Sequence, residues 1–157
     1  MARRQQVDHA VIPHLTVDNC AEAIEFYKKA FGAVVDCIYT LPDGRVIESQ
    51  FQLNGNWLSV NDPIPERGDN REATPRSLGG TPVTIHLDVP EPDVAFGRAV
   101  EAGAEVVFPM DYVFWGDRYG IVKDPWGHQW AFGQRTGREV SQEEIEKAIS
   151  GLVRGAE

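Results

Sequence analysis

The sequence predicts an α+β fold made of two tandem βαβββ units, and three observations carry that reading. The first is an internal repeat. The run 11–17, Val-Ile-Pro-His-Leu-Thr-Val, is echoed at 83–89 by Val-Thr-Ile-His-Leu-Asp-Val. Gly55-Asn56-Trp57-Leu58 is echoed by Gly127-His128-Gln129-Trp130, and both matches stand 72 residues apart. Matches at both ends of one period mark a duplicated unit. The second is that each opening run alternates polar and apolar residues, as a strand does, before the apolar period lengthens to that of a helix. The third is that each helical segment runs into Gly-Ala and an apolar pair, Gly32-Ala33-Val34-Val35 and Gly103-Ala104-Glu105-Val106-Val107.

The elements follow in order. Val11–Val17 reads as the opening strand of the first unit. Asp18 or Asn19 is the expected N-cap of a helix whose stripe is Ala23, Ile24, Tyr27 and Phe31, ended by Gly32. Val34–Thr40 and Arg45–Leu53 flank the hairpin signal Leu41-Pro42-Asp43-Gly44, and Asn54-Gly55 turns the chain into Asn56–Val60. The second unit repeats the order with Val83–Val89, a helix at 93–102, Glu105–Phe108, Arg118–Lys123 and His128–Gly133. Its last hairpin turn is Asp124-Pro125-Trp126-Gly127. Ser141 to Glu144 forms a capping box ahead of Ile145, Ala148, Ile149 and Leu152, an amphipathic terminal helix. The expected organisation is a flexible arm at 1–10, a first unit at 11–61, a linker at 62–81 rich in Pro, Gly and Arg, a second unit at 82–135, and the C-terminal helix within 136–157.

Composition narrows the function classes. The 157 residues are 42% hydrophobic, enough for an ordinary core, and carry a net charge of −9. Such an acidic surface repels phosphate backbones, so nucleic acid is not an expected partner. No apolar run approaches the ~20 residues of a membrane helix, and the start lacks an apolar signal core, so a cytoplasmic protein is expected. Cys20 and Cys37 show neither Cys-x-x-Cys nor zinc spacing. Both are expected to be reduced and structural. The competing reading is a reactive thiol at Cys20, where a helix start lowers a thiol pKa.

Strand parity assigns the candidate site. Val83, Ile85, Leu87 and Val89 should pack beneath the helix, leaving Thr84, His86 and Asp88 on the other face. The same parity puts Ile12, His14 and Thr16 on that face in the first unit. Leu58, Val60, Trp130 and Phe132 then point inward, opposite Trp57, Ser59, Gln129 and Ala131. Ile47, Phe51 and Leu53 also point inward, leaving Glu48, Gln50 and Gln52. A face mixing polar groups, two histidines and Trp57 suits a wet concave cavity better than a core. The competing reading makes His14 and His86 ordinary surface or structural residues.

Ile-Pro-His-Leu-Thr-Val-Asp with Ala-Ile-Glu-Phe-Tyr-Lys-Lys-Ala-Phe-Gly, and Phe-Trp-Gly-Asp-Arg-Tyr-Gly with Asp-Pro-Trp-Gly-His-Gln-Trp, resemble the vicinal oxygen chelate superfamily (glyoxalase, bleomycin resistance, dioxygenase) over about residues 10–135. The likeness is nearest to its phosphonate-operon-like and bleomycin-resistance-like members. The resemblance implies curved mixed sheets around a cup, helices on the outer face, and a homodimer. Some members hold Fe, Mn, Ni or Zn; others sequester a drug without a metal. Carried over from glyoxalase-type members, the metal positions fall at Ile12, Ser59, Thr84 and Ala131, none of them His or Glu. A register two residues away substitutes His14 and His86. Where phosphonate-operon-like members often carry His-x-Glu, this chain reads Glu48-Ser49-Gln50. No cofactor is therefore expected; if a metal is held, His14, His86 and Glu48 are the fallback ligands.

The first functional reading is a metal-independent binder of a small planar or cationic molecule, with His14, Glu48, Gln50, Trp57, His86, Trp115 and Arg118 as ligand-binding residues. Phe114, Trp115 and Tyr119 add flat π surfaces at a rim loop, and Glu48, Asp88 and Asp117 suit a cation. The alternative is a metal-dependent lyase, isomerase or dioxygenase acting on a small oxygenated substrate, or one using His14, His86 and Glu48 for acid–base work. A third is a structural or partner-binding module.

Overall fold

The computed structural model of the protein describes residues 11–68 and 73–154. The expected arm at 1–10 lies outside the described residues. The chain divides into two compact units, Met1–Gly79 and Gly80–Glu157. Each holds one helix against a four-stranded mixed sheet, so the fold is α+β with two βαβββ units and no closed barrel.

In unit 1 the elements are β1 (His14–Thr16), α1 (Cys20–Phe31), β2 (Val34–Thr40), β3 (Val46–Leu53) and β4 (Asn56–Asn61). The strand order is β1-β4-β3-β2. β1 runs parallel to β4, while β2–β3 and β3–β4 are antiparallel hairpin pairs. A βαβ crossover forces that parallel pair, whereas tight turns allow only antiparallel ones. The turn between β3 and β4 uses positive φ at both central residues, Asn54 (48°) and Gly55 (76°), the backbone a two-residue hairpin needs.

The stripe expected on α1 is the one that packs: Ala23, Ile24, Tyr27 and Phe31 are all buried, with Leu15, Val17, Phe51, Leu58 and Val60. Burying each large side chain contributes roughly 1.5–3 kcal/mol. The C-terminus closes at Gly32, whose N–H donates to the Lys28 carbonyl while Ala33 donates to that of Tyr27.

The N-terminus departs from expectation. Asn19 occupies the cap position but adopts a left-handed backbone (φ 58°), and its side chain does not cap. It donates instead to Glu22. The helix is capped from the far end of the unit: the Asp62 carboxylate accepts the Cys20 N–H at 2.8 Å and the Val46 N–H at 2.7 Å. One buried side chain thus satisfies an orphan helix donor, favours the helix dipole and ties down the start of β3.

The stretch read as linker contains a 3-10 turn at Pro65–Arg67 and a short α2 (Pro75–Leu78) capped by Thr74. Asp62, Ile64 and Thr74 are buried, so part of this segment packs as structure.

Unit 2 comprises β5 (Thr84–Asp88), α3 (Pro92–Ala102), β6 (Glu105–Tyr112), β7 (Arg118–Lys123), β8 (Gln129–Gln134) and α4 (Gln142–Arg154), with strand order β5-β8-β7-β6. β5 pairs parallel with β8 in the same way as β1 with β4. β6 runs four residues beyond the expected Phe108. Trp130, Phe132 and Val122 fill the helix side, and Phe96 of α3 meets Phe132 edge-on. The terminal capping box forms as expected: Ser141 Oγ accepts the Glu144 N–H, and Glu144 accepts the Ser141 N–H. Leu152, the last position of the expected stripe, lies outside the residues whose side chains are described.

Candidate functional site

The sheet face away from α3 in unit 2 carries Thr84, His86 and Asp88 from β5, Gln129, Ala131 and Gly133 from β8, and Tyr119 and Ile121 from β7. Pair register fixes this set: His86 stands opposite Ala131, and Ala131 opposite Ile121. His86 leans across β8 towards β7. A Cβ added at Gly133 would sit 2.8 Å from the His86 ring, so the bare backbone there makes room for the imidazole. Its ring centroid lies 5.6 Å from that of Tyr119.

Tyr119 continues an aromatic row. Trp115 meets it edge-on at 5.7 Å, and Phe114 meets Trp115 edge-on at 4.9 Å. Phe108 approaches Tyr119 from β6 at 6.4 Å. The row is not buried: Trp115 is 42% exposed and Phe108 41%. The Trp115 indole N–H donates to Asp117 at 2.9 Å, which fixes the ring's orientation. At the end of the face, His86, Asp88, Asp117, Gln134 and Arg135 line a cavity of about 290 Å³.

Arg118, expected among the ligand-binding residues, lies elsewhere. Its parity is that of Gly120 and Val122, towards the helix. Its guanidinium pairs with Asp93 at the start of α3 and sits 5.1 Å over the Tyr112 ring. That partnership lowers the Asp93 pKa. Arg118 therefore staples α3 to β6 and β7.

Unit 1 presents the corresponding face with different chemistry. His14 on β1 stands opposite Ser59 on β4, and Ser59 opposite Gln50 on β3. Ser59 donates to the carboxylate of Glu48. Trp57 is half-buried and stands opposite Gln52. His14, Glu48, Gln50 and Trp57 thus share one sheet face of unit 1, while His86 and Trp115 belong to unit 2.

The register settles which first-strand residue accompanies each fourth-strand residue. The partner of Ser59 is His14, not Ile12, and that of Ala131 is His86, not Thr84. Ile12 precedes β1 and is exposed. A hydroxyl and a methyl therefore stand beside the two imidazoles, and neither is a good ligand for a divalent ion. Among the described residues, no group of three or more His, Cys, Asp or Glu is placed to hold a metal. Within either unit, the first- and fourth-strand pair by itself is a poor donor set for a divalent ion.

The Cys20 thiol is fully buried at the start of α1. Burial, reinforced by the nearby Asp62 carboxylate, pushes its pKa up to about 12. The helix-start effect that would make it reactive is outweighed by desolvation. Cys37 is half-buried and also free. Native protein titrated with Ellman's reagent at pH 8 should release at most one equivalent of thiolate quickly, and Cys37→Ser should abolish it. Rapid reaction of both thiols in folded protein would contradict this placement.

Gln134 and Arg135 were not among the expected site residues. Gln134 is the last residue of β8, with the parity of Trp130 and Phe132, and Arg135 lies just beyond the strand, so parity gives no signal for either as a site residue. Only the meeting of the β5 and β8 ends with the β6–β7 loop identifies them.

The comparisons with known proteins agree with this architecture. The family model "Glyoxalase/Bleomycin resistance protein/Dioxygenase superfamily" matches residues 6–132. Protein Mb0911c of Mycobacterium bovis is 49% identical over 144 residues, covering 92% of this chain and 94% of its own length. Among solved structures, TioX from Micromonospora sp. ML1 superposes with a TM-score of 0.63 at 23% identity, over 81% of this chain and 98% of that one. A glyoxalase-related enzyme from Fulvimarina pelagi gives 0.65 at 21% identity, over 87% and 94%. At such identities the structural likeness speaks for the fold, while the family match spans most of the sequence. The chain belongs to the glyoxalase/bleomycin resistance protein/dioxygenase superfamily.

Proposed function

We propose that the chain binds a small planar or cationic organic molecule, without a metal, on the aromatic face of unit 2. The observation that carries this reading is the exposed row Phe114, Trp115, Tyr119 and His86 running to a cavity edged by Asp88 and Asp117. Exposed aromatic surface held in fixed orientation is costly unless something flat covers it, and aromatic stacking contributes about 0.5–1.5 kcal/mol beyond area burial. The two carboxylates and a net charge of −9 favour a cation. The superfamily description includes bleomycin resistance proteins, which fits sequestration as well as catalysis.

The same reading makes the protein a cytosolic homodimer. Two free cysteines suit a reducing compartment, and no helix among the described residues is long and apolar enough to cross a membrane. Val106, Val107, Phe108 and Tyr112 on the edge strand β6 are all exposed, a surface suited to a second copy.

The test is thermal unfolding of the metal-analysed full chain with 9-aminoacridine as the flat cationic probe. At a hundredfold excess over Kd the probe should add about 2.7 kcal/mol of stability, a rise of several degrees in Tm. Elemental analysis should find far less than one transition metal per chain. An unmoved Tm at millimolar probe, or one Fe, Mn, Ni or Zn per chain, contradicts the proposal.

A further inference from the structure

We infer that the cavity at the β5–β8 end takes a zwitterion, a molecule carrying an ammonium and a carboxylate together with an aromatic or apolar side chain; this rests on the binding reading above and names its ligand class. A site for a plain organic cation would be lined by acceptors and aromatic rings. This one holds the carboxylates of Asp88 and Asp117 and also the guanidinium of Arg135, with His86 and Gln134 beside them. Arg is charged at any relevant pH and presents a planar fork of donors that matches a carboxylate.

The opposite charges do not cancel within the protein. The nearby Arg118 is engaged by Asp93, and Lys123 by Glu105. Among the described residues no ion pair within 4.0 Å joins Arg135 to Asp88 or Asp117, although all three border the same space. Asp117 binds the Trp115 indole through one carboxylate oxygen, Oδ2. Two anionic groups and a cationic one around one cavity therefore present complementary ends to a ligand that bears both charges. The aromatic row begins at the same place, since His86 lines the cavity and its ring lies tilted beside that of Tyr119. A volume of about 290 Å³ lies at the small end of ligand sites, which suits a molecule of amino-acid size.

The experiment is calorimetric titration of the full chain at pH 7.5 with three probes of one skeleton: L-phenylalanine, phenethylamine and 3-phenylpropionate. Phenylalanine should bind at least tenfold more tightly than either relative lacking one charge. Arg135→Gln should remove its advantage over phenethylamine, Arg135→Lys should restore part of it, and Asp88→Asn should remove its advantage over 3-phenylpropionate. Unchanged Tm values show that these exposed substitutions leave the fold intact. If phenethylamine binds as tightly as phenylalanine, or Arg135→Gln leaves the preference unaltered, the zwitterion inference falls while the aromatic site stands. If none of the three probes nor 9-aminoacridine binds, both readings fall.

Discussion

Asp124→Ala should destabilise the protein by about 3 kcal/mol, lowering Tm by roughly 10 °C. Asp124 is 2% exposed, and its carboxylate serves three donors at once. Oδ1 accepts the backbone N–H groups of Trp126 and His128, and Oδ2 accepts the indole N–H of Trp130 at 2.9 Å. The turn 124–127 would lose its internal scaffold, and the fully buried Trp130 indole would lose the carboxylate that accepts its N–H. Leaving buried donors unpaired costs about 1–3 kcal/mol each before relaxation or water entry offsets part of it. Asp124→Asn should not rescue, because its amide would point a donor at a donor. Chemical denaturation of both variants gives the answer, and a loss under about 1 kcal/mol would show that the turn holds without the carboxylate.

Trp115→Ala should weaken binding of 9-aminoacridine about tenfold while leaving Tm nearly unchanged. The ring is 42% exposed, so its removal opens no core cavity. What is lost is a flat surface oriented by Asp117 and braced edge-on by Phe114 and Tyr119. A stacked indole is worth roughly 1 kcal/mol beyond the area it covers, and the area itself adds more. Trp115→Phe should retain part of the affinity, since it keeps a π face but loses the Asp117 tether. A large fall in Tm would instead mark Trp115 as structural.

Much of the fold was legible because local chemistry dictated it. Asn54-Gly55 accepts positive φ at both residues, so the β3–β4 hairpin follows from two letters. The α1 stripe of Ala23, Ile24, Tyr27 and Phe31 has helical spacing and nothing else to do but pack. The helix cap was not legible: Asp62 reaches Cys20 from 42 residues away, and no local pattern encodes a partner brought in by the tertiary fold. Ile12 fits the alternation of β1 as well as His14 does, and only the tertiary pairing shows that His14 is the neighbour of Ser59.

The site was legible where parity governs it. His86 falls on the face opposite Ile85 and Leu87 by alternation, while Tyr119, expected on a rim loop, lies in β7 on that same face, and the strand's alternation turns Arg118 towards α3. Arg118 shares the strand parity of Val122 and pairs with Asp93 on the α3 side. Gln134 and Arg135 escaped because Gln134, the last residue of β8, has the parity of the helix-side residues Trp130 and Phe132, and Arg135 lies beyond the strand.

The most direct test of the aromatic site is the indole region of a ¹H–¹⁵N correlation spectrum recorded during titration with 9-aminoacridine. The Trp115 N–H signal, assigned by its loss in Trp115→Phe, should move progressively with probe. The Trp130 signal, from a fully buried ring bonded to Asp124, should stay in place. A Trp115 signal that remains fixed while the probe binds would put the ligand elsewhere and contradict the account.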